Sequence, residues 1–330
     1  MKNSFALFAV GMIPAMIFAA DFTLKPTSLW KKTADNAAKI DYDGRKAWPH
    51  LRLKTAEALK PNTLYRVKFE AKSTVPNQVS CSFHAVFQGK KQQIVTRFMP
   101  TADFKKYTCY FNSGEDPKGT PSIYFDPTSA FQLEVKNIKL DEMTDDLLYG
   151  QNLLAWGDFE EDNTFLPGNK KLKDAVKIVD SANFMSGEKS LLLDCPEGKT
   201  AAVTSGFIPA VPGKEIEVKF YAKSEEPAKI QVTLNWWMSG SKHLYRTFQF
   251  KTEKEWKEYT LKYKVPEDSE TYPALLRKLM TCIRFSGRSL SKDGSSKICF
   301  DDISYMMERA PSREKIAVCP IERPDRRQTE

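Results

Sequence analysis

The side chains able to do chemistry are unevenly supplied in this chain. Its 3 histidines, His50, His84 and His243, lie far apart. None has a metal-ligand spacing or a nucleophile motif beside it. The 6 cysteines, Cys81, Cys109, Cys195, Cys282, Cys299 and Cys319, form no C-x-x-C pair, so a thiolate zinc site has no support. A glycine-rich phosphate loop and a G-x-S-x-G elbow are both missing. Carboxylates are abundant, but glycoside hydrolysis needs two of them placed across a cleft, and no pair stands out by spacing. Two acidic groups do stand out: Asp158 and Glu160, which follow the apolar run Asn152-Leu-Leu-Ala-Trp156, and the doublet Asp301-Asp302. So does one aromatic group, Trp236-Trp237, with Asn235 before it and Tyr245 after it.

The elements that must position these residues read as strands. Val67, Phe69 and Ala71 alternate with Arg66, Lys68 and Glu70, and Ile230, Val232, Leu234 and Trp236 alternate with Gln231, Thr233, Asn235 and Trp237. A period of two buries one face and wets the other, the habit of antiparallel sheets. Turn residues punctuate the runs at Pro61-Asn62, Gly89-Lys90, Pro212-Gly213 and Ser239-Gly240. Parity places Trp236 in the core and turns Trp237, Tyr221 and Arg284 outward. A short helix is expected only between Tyr272 and Met280, where Leu275, Leu276 and Leu279 could line one side.

The chain also repeats itself. Val67, Phe69 and Ala71 match Val218, Phe220 and Ala222 at a constant offset, Phe104 and Tyr107 match Trp256 and Tyr259, and Val135-Lys-Asn-Ile-Lys-Leu140 matches Phe300-Asp-Asp-Ile-Ser-Tyr305. The order of matches is preserved, which points to duplication of one fold. The sequence therefore predicts an all-β protein of two tandem antiparallel β-sandwiches, with jelly-roll connections, over residues 21–146 and 147–306. A charged, proline-bearing stretch, 307–330, reads as a tail or linker.

Residues 1–20 combine a charged start at Lys2, an apolar run from Phe5 to Phe18 and small residues at Ala19-Ala20. That is the pattern of a bacterial-type signal peptide. It predicts a secreted, periplasmic or cell-surface protein, and no later stretch is long and apolar enough for a membrane span. The formal net charge is +8, with basic and acidic residues interleaved. That pattern marks a solvated surface rather than a nucleic-acid footprint.

Asn152-Leu-Leu-x-x-Gly-Asp-Phe-Glu160, Val218-Lys-Phe-Tyr-Ala-Lys-Ser224, Trp256-x-x-Tyr259 and Phe300-Asp-Asp-Ile303 resemble the carbohydrate-binding modules of the family 4/9/22 type, which have the galactose-binding-like fold. The resemblance covers most of 152–305, and 22–143 more weakly through the repeat. It implies a structural Ca²⁺ held between the first and last strands. The matching positions are Glu160 and Asp302, with Asp158 and Asp301 nearby; the plain alternative is that these are solvated strand ends. Ca²⁺ favours such oxygen ligands, 6–8 of them by about the usual count. In the first domain Lys136 and Asn137 replace the two aspartates, so no matching ion is expected there. The resemblance also implies sugar binding by exposed rings with polar partners. Here these would be Trp237, Tyr221 and Tyr245, with Asn235, Gln231 and Arg284, unless the rings instead cover a second sheet. In the first domain Ala85 and Val86 stand where Trp236 and Trp237 stand in the second, and Trp30 and Trp48 could contribute only from loops.

The implied function is non-catalytic polysaccharide binding. Two alternatives stay open at this point: an accessory part of a glycoside hydrolase system, acting beside a separate hydrolase, and a structural or adhesive cell-surface protein. Cys81 and Cys109 fall at core places, as buried thiols or a disulfide. Cys282 and Cys299 share outward parity near the end of the second domain, and a bridge between them is expected if their strands pair.

Overall fold

The computed structural model describes residues 22–26, 30–42, 50–74, 80–86, 93–98, 100–113, 117, 120–126, 131–154, 157–160, 166–167, 175–179, 184–237, 243–266, 280–291 and 294–308. The expected signal peptide, the helix expected after Tyr272 and the tail beyond Glu308 lie outside them. Among the described residues the protein is nearly all β, with one short helix, α1 (Asp145–Leu148). No helix there is long and apolar enough to cross a membrane.

In the first half, β1 (Phe22–Pro26), β4 (His50–Thr55), β9 (Thr120–Asp126), β6 (Ser80–Val86) and β7 (Gln93–Phe98) form one sheet in the order β1-β4-β9-β6-β7. The other sheet runs β2-β3-β10-β5-β8, from β2 (Trp30–Ala34), β3 (Ala37–Tyr42), β10 (Phe131–Glu142), β5 (Leu64–Ser73) and β8 (Lys105–Asn112). The second half repeats this plan. Its first sheet is β11 (Leu166–Pro167), β14 (Thr200–Thr204), β20 (Met280–Ser289), β17 (Ala228–Trp237) and β18 (His243–Lys251), with β15 (Ile208–Pro209) on β20. Its second is β12 (Val176–Val179), β13 (Ser190–Cys195), β21 (Ser296–Met307), β16 (Glu215–Ser224) and β19 (Lys257–Lys264). The strand orders correspond one to one, so the repeat seen in the sequence is a repeat of topology.

The alternation read in the sequence is the alternation of burial. β16 is buried at every second residue, from Ile216 through Val218, Phe220 and Ala222. Phe220 is fully buried and meets Phe285 of the facing sheet edge-on at 5.3 Å, and it stacks on Tyr259 at 5.3 Å. The matched rings of the first half do the same: Phe69 stacks on Tyr107 at 5.6 Å and meets Phe98 edge-on at 5.1 Å. Burying one such ring contributes about 2 kcal/mol. A second shared device is a bulge in the last strand of each half. The register of β10 on β5 shifts between Lys136 and Lys139, and β16 on β21 shifts between Lys219 and Tyr221. The matched residues Asn137 (φ 52°) and Asp302 (φ 46°) are left-handed there, a conformation Asn and Asp tolerate.

The run before Glu160 does not begin a strand of its own. It lies along β21: Gly150 donates to the carbonyl of Met307, Leu153 to that of Tyr305, and Ile303 to that of Gly157, at 2.9–3.0 Å. The Asn152 Oδ1 accepts from the backbone amides of Leu154 and Tyr305. The first half holds the same stretch, because the buried Tyr110 hydroxyl donates to the Leu153 carbonyl at 3.1 Å. Burial pushes that phenol up to about 12.

The expected bridge between Cys282 and Cys299 does not form. Cys282 is on β20 and Cys299 on β21, strands of different sheets. Both point away from the core, in opposite directions, across sheets that pack about 10 Å apart. Cys109 is likewise a free buried thiol, so it is not bridged to Cys81, whose side chain lies outside the described residues. Burial pushes the Cys109, Cys195 and Cys299 thiols up, Cys195 to about 11. They are packing residues rather than reactive ones.

Candidate functional site

Register assembles an outer face on the sheet β11-β14-β20-β17-β18. Along β17 the outward residues are Lys229, Gln231, Thr233 and Asn235, and Trp237 follows them at the end of the strand. Opposite them on β18 stand Lys251, Gln249, Thr247, Tyr245 and His243. On the other side, β20 sets Arg288, Ser286, Arg284 and Cys282 against Lys229, Gln231, Thr233 and Asn235. Five of the expected binding residues, Trp237, Tyr245, Asn235, Gln231 and Arg284, therefore occupy three neighbouring strands of one sheet.

Within this face the hydroxyls of Thr233 and Thr247 lie 3.1 Å apart, and Asn235 Nδ2 donates to the Thr233 carbonyl at 3.2 Å. Tyr245 is 55% exposed, unusual for a large ring in a sheet. Arg284 is half-buried, and its Nε has no hydrogen-bond partner, a costly state for a buried donor until something fills it. Trp237 closes β17 beside His243 in register; both side chains lie outside the described residues. Trp236 turns inward as parity predicts. It is 2% exposed and packs 5.8 Å from the Tyr263 ring.

Tyr221 does not join this face. It lies on β16, in the other sheet of the sandwich, and its hydroxyl donates to Glu258 Oε2 at 3.0 Å. Parity along a strand tells wet from dry, but not which of two sheets carries the strand. Sequence reasoning also passed over Thr247 and Gln249. The signal for them was present: Phe248 and Phe250 alternate with them on β18 and pack against the core. In the first half, Trp30 is buried at 4% on β2 rather than presented from a loop. The side chains of Ala85 and Val86 and the whole of Trp48 lie outside the described residues.

The acidic residues gather at one end of the second sandwich, around the turn at 185–188. Glu160 Oε1 accepts from the amides of Glu188 and Lys189 at 2.7 and 2.8 Å. Asp301 Oδ2 accepts from Met185 and Ser186, and its Oδ1 from Asp302. Asp302 Oδ1 accepts from the Ser186 hydroxyl at 2.9 Å. Burial raises the Asp301 carboxyl above its ordinary value, against the pull of its three amide donors. Gly187 (φ +65°) permits the turn, because a Cβ there would run into the Glu160 carboxylate.

Several of the oxygens these groups offer are already engaged. Glu160 Oε1, both oxygens of Asp301 and Asp302 Oδ1 accept from amides or a hydroxyl, and the Glu160 carbonyl accepts from Lys189 Nζ at 3.0 Å. Among the described residues no three Asp, Glu, His or Cys side chains converge on one point, whereas Ca²⁺ requires about 6–8 oxygens around it. The Lys189 ammonium supplies positive charge at this end of the fold. Removing divalent ions with EDTA is accordingly expected to leave the melting temperature unchanged. A rise of several degrees on adding CaCl₂ would reinstate Glu160 and Asp302 as ligands through binding linkage.

No family model matches the chain, and no curated protein does. Among solved structures it is similar to the N-terminal CBM22-1–CBM22-2 tandem domain of Xyn10C from Paenibacillus barcinonensis. That match has 13% identity and a TM-score of 0.35, covering 88% of this chain and 98% of that one. It is also similar to TmCBM61, solved in complex with beta-1,4-galactotriose (19% identity, TM-score 0.36, 48% of this chain and 100% of that one). A third is a family 16 carbohydrate-binding module (16% identity, TM-score 0.34, 47% of this chain and 99% of that one). The solved structures to which this chain is similar are mainly carbohydrate-binding modules.

Proposed function

We propose that the outer face of β20-β17-β18 holds a polysaccharide, and that the protein is an exported, non-catalytic carbohydrate-binding protein. The observation that carries this reading is the face itself. The exposed ring of Tyr245 stands beside Asn235, with Thr233, Thr247, Gln231 and Gln249 in adjacent register rows. A ring offers a stacking surface for a pyranose, and amides and hydroxyls offer hydrogen bonds to its hydroxyls. A pre-formed sheet adds little ordering cost on binding. The described residues of these rows include no carboxylate, so the face is equipped to hold a glycan rather than to cleave one.

Affinity electrophoresis through gels containing a panel of plant and microbial polysaccharides tests the reading. At least one polymer is expected to retard the protein. Tyr245→Ala and Trp237→Ala should each weaken that binding about tenfold, as central aromatic contacts do. Tyr221→Ala, on the other sheet, should bind normally. Unchanged retardation in both ring variants would remove this face from consideration.

A further inference from the structure

The face just described is charged in one sense only. Lys251, Lys229 and Arg288 lie in one register row across β18, β17 and β20, and Arg284 lies two rows away. Among the described residues none of the four makes an ion pair. No Asp or Glu occupies an outward position on β14, β20, β17 or β18. The acidic residues of the adjoining turns, Glu197, Glu225 and Glu226, are exposed and off the strands. The opposite sheet of the same sandwich is built differently. There Lys219 pairs with Glu217 at 3.1 Å, and Lys262 pairs with Glu308 at 2.6 Å and Glu217 at 3.4 Å. Like charges directly opposite each other on neighbouring strands destabilise a sheet, yet Lys251, Lys229 and Arg288 are set side by side. Arg284, opposite Thr233 in this face, has a buried Nε with no hydrogen-bond partner.

We infer that the ligand of this face is an anionic glycan, bearing carboxylate or sulfate groups along its chain. This rests on the reading of the face as a polysaccharide site and adds the class of polymer. Arg284 meets one anionic group with its guanidinium, which suits the planar geometry of an oxyanion. The row at Arg288 and Lys229 meets another, about 13 Å further along the strand direction at the rise of a β-strand. The neutral rows between them, with Gln231, Gln249 and Ser286, are left for sugar hydroxyls.

The test pairs polymers that differ only in charge: polygalacturonate against its methyl ester, and dextran sulfate against dextran. Titration calorimetry is expected to show at least one acidic polymer binding tenfold or more tighter than its neutral partner. That preference should fade as NaCl is raised from about 0.05 to about 0.5 M. Arg284→Gln and Lys229→Gln should each weaken the acidic polymer about tenfold, the usual scale for a hydrogen bond to a charged group. Lys177→Gln, on the opposite sheet, should not. Which acidic polymer wins identifies carboxylate or sulfate as the group read. Equal affinity for the charged and neutral members of both pairs would overturn the anionic inference and leave polysaccharide binding standing. Failure to bind any polymer overturns both readings. Single-stranded DNA bound through Arg284 as tightly as the best acidic glycan would show an unspecific polyanion surface, and overturns the assignment to a glycan.

Discussion

Replacing Gly157 with alanine is expected to cost the second sandwich at least about 4 kcal/mol, a loss confined to a short list of mechanisms. A Cβ at this position would fall on the backbone carbonyl of Ile303. The approach cannot open, because Gly157 and Ile303 are themselves joined by a 2.9 Å amide–carbonyl bond and Ile303 is fully enclosed in β21. For a domain of this size the loss amounts to a fall of about 10 °C in melting temperature. Gly287→Ala makes a useful contrast. Its Cβ would meet the Ile298 Cδ1 and the Cys195 Sγ, side-chain ends that can shift, so overpacking of about 1–3 kcal/mol is expected. Scanning calorimetry of the two variants separates them. A Gly157→Ala protein within 1 kcal/mol of wild type, by about the resolution of such measurements, would show that the close approach to β21 is not made.

The second large effect is expected in the first sandwich. Arg66 on β5 donates through Nε and Nη2 to Asp141 Oδ2 on β10, at 3.1 and 2.9 Å. Their side chains are 13% and 8% exposed. Asp141→Ala leaves a guanidinium enclosed without its counter-charge, at a cost of about 3–5 kcal/mol. The pair itself contributes far less than that figure, since bringing both charges out of water offsets most of their attraction. The double variant Arg66→Met, Asp141→Leu is therefore expected to recover most of the loss. Urea unfolding of Arg66→Met, Asp141→Leu and the double variant closes the cycle. A double variant as unstable as Asp141→Ala would locate the cost in packing rather than in the stranded charge.

What could be read from the sequence was whatever depends on period and order. The alternation through Val218, Phe220 and Ala222 gave the buried side of β16, and the positions matched by the repeat, Phe69 and Tyr107 with Phe220 and Tyr259, make the same ring stack in both halves. Pairing between strands was not legible. Tyr221 and Trp237 share outward parity, and so do Cys282 and Cys299, yet each pair is divided between the two sheets of the sandwich, whose outer sides point in opposite directions. Nothing local in the chain records which sheet a strand joins, since that is settled by crossovers many residues away. The acidic group shows a different limit. Its location could be anticipated, because Glu160 and Asp301-Asp302 sit on neighbouring segments. Its bonding could not, because the partners are backbone amides of Met185, Ser186, Glu188 and Lys189, whose positions depend on a turn made by Gly187.

After a single parallel bridge between Tyr149 and Met307, the hydrogen bonds of Gly150, Leu153 and Gly157 step back along β21 from Met307 to Ile303, so the chain enters the second sandwich beside the point where β21 ends. That arrangement has a mechanical meaning. A pull applied between the segment preceding Tyr149 and the segment following Met307 would act across the hydrogen bonds one after another, starting with Gly150 to Met307. It would not load them together in shear. Under tension this edge opens like a zip, and the opening reaches the Tyr110 hydroxyl on Leu153, a tie between the halves.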